Sequence, residues 1–240
     1  MSNIRAAAIA LTLALSASAP SFAQQPAGPP PDAMTDPSMK RAEVLAFMGV
    51  KPGDQVADVV AGRFARALSA AVGSKGKVYA VEPDEVTKLH PEAMKGMEAI
   101  KATPEGRNLE VITGPINAVA LPKGLSAVFI RQNYHDLYDK FMGPADVPAF
   151  NKKVFAALKP GGVYVILDHS AVKGSGLAAT ETLHRIDEDQ VVKDVTAAGF
   201  RLDGRSDVLA NPADPRDKMV FNPAIRGKTD QFLLRFRKPK

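Results

Sequence analysis

The chain contains no cysteine. This excludes a disulfide framework, thiolate nucleophiles and cysteine-ligated metals, and it removes the residue on which a lipidated leader would depend. A protein built this way is held together by its core alone. Charge of either sign is not in excess: 31 basic residues face 26 acidic ones, for a formal net charge of +5, and the two signs are interspersed. Nucleic acid is therefore not an expected partner. No apolar run approaches the roughly 20 residues that a membrane-spanning helix needs. There is no internal repeat, no sign of a second domain and no HExxH spacing.

What is present begins with an export pattern. Arg5 supplies a basic start, residues 6–19 form an uncharged leucine- and alanine-rich stretch, and Ser21 and Ala23 are small residues suited to a cleavage site. Residues 1–23 are expected to be a signal peptide, and residues 24–36, with Pro26, Pro29, Pro30 and Pro31, a flexible leader. Residues 37–240 then form one domain. The expected location is periplasmic or secreted, with no stable membrane insertion after cleavage.

Within the domain, short apolar runs alternate with helical periods. Residues 55–60 read as a strand; Phe64, Leu68 and Val72 recur at helical spacing before Gly73; residues 78–81 read as the next strand. Further strands are expected at 109–113, 125–130, 163–167, 200–206 and 231–236. Helices are expected around Met94, Met97 and Ile100, around Phe150, Val154 and Leu158, and from a capping box at Asp187 and Gln190 to Ala198. Lys159-Pro-Gly-Gly162 reads as the turn that closes the second of these. Strands alternating with helices imply an α/β fold with a largely parallel sheet covered on both faces, and ligands beyond the carboxyl ends of the strands.

Several segments carry a resemblance: Ala42-Glu-Val-Leu-Ala-Phe-Met-Gly-Val-Lys-Pro-Gly53, Gly76-Lys-Val-Tyr-Ala-Val-Glu82, Gln132-Asn-Tyr-His-Asp136, Asp168-His-Ser170, Glu181-Thr-Leu-His-Arg185 and Gly227-Lys-Thr-Asp-Gln-Phe232. In these the chain resembles the class I S-adenosylmethionine-dependent methyltransferases, and within them a group of exported bacterial predicted methyltransferases. The likeness implies a three-layer Rossmann-like methyltransferase fold whose seven-stranded, mainly parallel sheet has its last strand antiparallel beside the fifth. It also implies S-adenosylmethionine as cofactor, with Asp58 facing the methionine portion and Glu82 holding the ribose. One departure is plain. Where related proteins carry a longer glycine-rich turn after the first strand, this chain has Ala61-Gly62-Arg63, with a single glycine. Gly62 must let the backbone approach the cofactor. Arg63 can pair with the cofactor carboxylate, fill the vacated space or face solvent.

The chemistry expected is methyl transfer to an oxygen or nitrogen of a small-molecule acceptor. Asn133 joins the cofactor set. His135 and His169 are candidate bases, with Asp168 orienting an imidazole, and His184, near Glu181, completes a cluster expected to converge on one end of the sheet. His90 stands apart and reads as a surface residue. A divalent cation on Asp168, His169, His184 and His135 is a second use of the same groups, but no metal ligand is assigned. The rival to an enzyme is a degenerate protein that keeps the fold and binds a small ligand in the periplasm, because S-adenosylmethionine is made in the cytoplasm. The acceptor, the oligomeric partner and the fate of the segment from Leu209 to Lys228, a lid or a plain connection, are left open.

Overall fold

Seven segments become strands: β1 (Gln55–Val59), β2 (Lys77–Pro83), β3 (Leu109–Gly114), β4 (Leu125–Arg131), β5 (Leu158–His169), β6 (Arg201–Ser206) and β7 (Gln231–Arg237). The computed structural model describes residues 32–143 and 145–240. The expected signal peptide and residues 24–31 of the leader lie outside the described residues. The strands form one sheet in the order β3-β2-β1-β4-β5-β7-β6. Strands β1 to β5 pair in parallel, while β7 runs antiparallel to both β5 and β6. This is the seven-stranded, mainly parallel α/β arrangement that the resemblance implied.

Alternation along the strands builds the three layers. In β4, Ala127 and Phe129 pack into one apolar cluster and Val128 and Ile130 into the other; in β5, Val163, Val165 and Leu167 oppose Tyr164 and Ile166. Successive side chains of a strand point to opposite faces, so both faces need cover. One is covered by α1 (Arg41–Met48), α2 (Ala65–Val72) and α4 (Glu92–Lys101), through Val44, Met48, Leu68, Val72 and Met97. The other is covered by α5 (Val147–Ala157) and α7 (Glu188–Ala197), through Phe150, Val154, Val191 and Val195. Each of the larger side chains contributes about 1.5–3 kcal/mol by burial. Two short helices, α3 (Asp84–Leu89) and α6 (Thr180–Leu183), follow β2 and precede α7.

Three local expectations are corrected. Lys159-Pro-Gly-Gly162 lies within β5 because its backbone finds partners beyond the last strand: the Gly161 amide donates to the Lys238 carbonyl, and the Lys238 amide to Gly162. Asp187 caps α7 by accepting from the Asp189 amide, but Gln190 donates to Asp194 instead of reaching back. Ordered packing also starts before residue 37. The Asp32 carboxylate takes a two-pronged grip from Arg66 at 2.7 and 2.9 Å, which buries Ala33.

The segment between β6 and β7 is anchored from below. Arg185, fully buried, pairs with Asp214 at 2.9 Å and donates to the carbonyls of Ser170 and Lys218; Asp214 also accepts from the Asp230 amide. This buried pair ties the connection to the end of β5. Replacing Arg185 by Met strands the Asp214 carboxylate in the interior. It is expected to cost about 3–5 kcal/mol in urea unfolding, whereas the double variant Arg185→Met with Asp214→Leu recovers most of that loss.

Candidate functional site

Parallel strands deliver their last residues to one edge of the sheet, and acids stand at the ends of β1 and β2 where an apolar core would favour valine. Asp58 is 2% exposed and Glu82 is fully buried. Both line a cavity of about 270 Å³ together with Val60, Gly62, Arg63, Phe64, Val86, His90, Arg131 and Asn133. Asp58 accepts a backbone hydrogen bond from Gly62, but its Oδ2 has no partner, and neither has Oε1 or Oε2 of Glu82. Burial pushes the Asp58 carboxyl up to about 7. Burial, with the neighbouring Asp58 charge, pushes Glu82 up to about 8. Two larger clefts, about 600 Å³ beside Gly76 and Lys77 and about 750 Å³ beside Arg205 and Arg216, hold no buried unpartnered carboxylate among the described residues.

All five residues expected at the cofactor, Asp58, Gly62, Arg63, Glu82 and Asn133, thus line one cavity. The bend itself is made differently from the expectation. Gly62 does not adopt a positive φ and a Cβ there would meet nothing within 4 Å. The left-handed residue is Val60, at φ +50. A β-branched residue in that region is strained by about 1–2 kcal/mol. Arg63 faces Asp36 at 3.9 Å as well as the cavity. His90, read as a surface residue, does have an exposed ring paired with Glu92, yet it also stands at the cavity rim.

Arg131 was missed. It is the charged last residue of an otherwise apolar strand, which is the signal that marks it. Burial, and the nearby Arg63, lower its pKa to about 10, against the opposing pull of Asp58, Asp168 and Asp36. It remains a cation at neutral pH and stands between the cavity and a second group of polar residues.

That second group holds the expected catalytic residues, and it does not open onto the cavity. Strand β5 runs through His169, so Asp168 and His169 point to opposite sides. Asp168 accepts from His135 Nδ1 at 2.8 Å and from the amides of His135 and His169 at 2.9 and 2.7 Å. His135 Nε2 meets Asp136 Oδ1 at 3.1 Å. Burial alone would lower the His135 pKa, but Asp168 and Asp136 outweigh it and hold it up at about 10. Asp136 is brought down to about 2, burial notwithstanding, by its hydrogen bonds from His135 and His184. With both ring nitrogens engaged by carboxylates, His135 is a poor proton acceptor. His169 shares a 2.8 Å hydrogen bond with Thr229, and burial pushes it down to about 3. It too is a weak base. His184 is half-buried, near Asp136 at 3.6 Å and Asp139 at 3.9 Å, and its ring packs on Phe221 at 5.2 Å. The two groups share one loop, since Asn133 lines the cavity and His135 belongs to the cluster.

Solved structures share this architecture. An S-adenosylmethionine-dependent methyltransferase from Aquifex aeolicus matches at a TM-score of 0.60 and 23% identity, covering 84% of this chain and 93% of that one. The [4+2]-cyclase SpnF matches at 0.60 and 13%, covering 84% and 81%. Fibrillarin from Aeropyrum pernix, solved with natively bound S-adenosyl-L-methionine, matches at 0.50 and 15%, covering 82% and 74%. No protein-family model and no curated protein matches the sequence. The fold is that of the Rossmann-like methyltransferases, and a cyclase among its bearers illustrates that fold does not define reaction.

The cavity acids make stability depend on pH. Their folded values, about 7 and about 8, lie above those of the unfolded chain, so the folded protein binds more protons. The resulting stability is whole below the unfolded values and is lost as pH rises through the folded ones. His135, also raised, contributes in the same direction until about 10. The thermal midpoint of the ligand-free protein should therefore fall between roughly pH 6 and pH 9. Replacing Asp58 by Asn and Glu82 by Gln together should flatten the lower part of that fall, and a rising midpoint would contradict the assignment.

Proposed function

We propose that the protein binds S-adenosylmethionine across the ends of β1 and β2 and transfers a methyl group to an oxygen or nitrogen of a small-molecule acceptor. The unpartnered oxygens of Glu82 and Asp58 in the cavity wall carry this assignment. A buried acceptor without a partner costs about 1–3 kcal/mol, and more when charged. A ligand with a vicinal diol and a positive charge removes that cost. Two ribose hydroxyls match the two oxygens of Glu82, and a cationic methionine portion matches Asp58. Arg131 and Arg63, on the same wall, suit the ligand carboxylate. The cavity of about 270 Å³ stands near the low end of the ~300–1,000 Å³ typical of ligand sites.

When bound, the cofactor supplies an activated methyl group on a sulfonium leaving group. The chain's task is then alignment and proton removal. His184 is the best candidate base of the cluster, because its ring is half-exposed while His135 and His169 are committed to partners. Asp168 acts through His135 as a positioning residue. The export pattern of residues 1–23 supports a periplasmic or secreted setting. A second reading, a ligand-binding protein that no longer transfers methyl groups, is favoured by one observation: Val60 places an isopropyl group at the wall, on a backbone conformation that suits glycine.

Calorimetry separates these outcomes. S-adenosylmethionine and S-adenosylhomocysteine should bind at micromolar concentration, and Glu82→Gln should weaken both by about tenfold or more, equivalent to about 1.4 kcal/mol. No heat at millimolar ligand would refute cofactor binding; binding without methyl transfer to any amine or hydroxyl acceptor in a panel would favour the second reading. Val60→Gly should keep the fold, since φ is already left-handed, and tighten binding by enlarging the cavity. Weaker binding in that variant would mean that the valine supports the site.

A further inference from the structure

We propose that His135, Asp136, Asp139 and His184 form a binding site for a divalent transition-metal cation of the zinc type. The sequence offered Asp168, His169, His184 and His135 as a second use of the same groups without assigning a ligand, and the structure engages two of these elsewhere. Asp168 already accepts three hydrogen bonds, and His169 Nδ1 is held by Thr229. The four residues named here instead offer one ligand atom each, all within 4.8 Å of one another. His135 Nε2 is 3.1 Å from Asp136 Oδ1, and His184 Nδ1 is 3.6 Å from Asp136 Oδ1 and 3.9 Å from Asp139 Oδ2. Tetrahedral bonds of 2.0–2.2 Å would place neighbouring ligand atoms ~3.3–3.6 Å apart, so small side-chain shifts suffice.

Charge and orientation agree with this geometry. Two carboxylates and two imidazoles balance a divalent cation once the cation displaces the Nε2 proton of His135 to solvent, and imidazole nitrogen with carboxylate oxygen, without thiolate, suits zinc, iron or nickel over calcium and magnesium. Asp168 accepts the Nδ1 hydrogen of His135 and is itself fixed by two amides, which turns Nε2 toward the cluster. A histidine ligand held from behind by a carboxylate is the usual outer support of a metal site. Asp139 supplies an independent pointer: it is buried at 2% exposure and its Oδ1 has no hydrogen-bond partner. His184 adopts φ +52, a left-handed conformation that is uncommon for a residue other than glycine. That strain, at the end of α6, is accounted for if it brings the ring to the cation. The half-exposed His184 edge leaves an entry path from solvent.

The site stands whether or not the cavity at Asp58 and Glu82 binds its cofactor; a cation held there takes His184 out of use as a base, and the site is tested separately. The full protein is stripped with a chelator, dialysed, and titrated with zinc chloride by calorimetry; cobalt(II) substitution is followed by visible absorption. One equivalent of zinc at micromolar affinity or tighter, a raised thermal midpoint and intense cobalt bands of four-coordinate type are expected. Asp139→Asn and His184→Gln should each weaken binding by at least about tenfold. His184→Gln changes a half-exposed side chain, so it reports on the site even if the buried variant fails to fold. Absence of binding at micromolar zinc, or binding unaltered by His184→Gln, would overturn the proposal.

Discussion

Two carboxylates, Asp58 and Glu82, are buried side by side at the ends of adjacent strands with three of their four oxygens unpartnered. Nothing in the fold requires acids there. The neighbouring positions Val59 and Val81 show what the core accepts, and a pair of like charges removed from water is opposed both by desolvation and by mutual repulsion. The sheet holds them because its parallel strands must end on one edge, where the connections open a crevice. A ligand that donates hydrogen bonds and carries positive charge turns that cost into affinity. This is the physical basis of the proposed cofactor, and it lies inside this molecule as well as in the fold that the solved structures share.

The loop after β4 couples that crevice to the rest of the edge. Arg131 stands between Asp58 on one side and Asp168 on the other, Asn133 faces the cavity, and His135 turns away to meet Asp168 and Asp136. The positive charges of Arg131 and His135 offset a group of acids that would otherwise repel one another. What looked like a single convergent pocket is therefore two adjoining sites. One is lined by strand ends and suits a nucleoside; the other is a histidine and aspartate cage beneath Phe221, part of the connection that Arg185 anchors.

The strands and their layers were legible because buried parallel strands read as short apolar runs, and six of the seven begin and end within two residues of expectation or nearly so; β5 is longer because Lys159-Pro-Gly-Gly162 pairs with residues past β7. The antiparallel last strand came from resemblance, since periodicity carries no direction. Asp58 and Glu82 were legible as acids ending apolar strands. The division of the histidines was not. It depends on where β5 stops, and one residue more of strand sends Asp168 and His169 to opposite sides. Val60 was also hidden, because composition marks glycine as the bend and backbone strain at a valine leaves no trace in sequence.

The central claim is that Asp58 and Glu82 are kept short of partners for a cationic nucleoside. Its most direct test is the carbon-13 resonance of the two side-chain carboxyls, followed against pH with and without S-adenosylmethionine. The account predicts titration near 7 and 8 in the free protein and a shift of both to lower pH on binding. Ordinary carboxylate titration in the free protein, or no response to the cofactor, would contradict it.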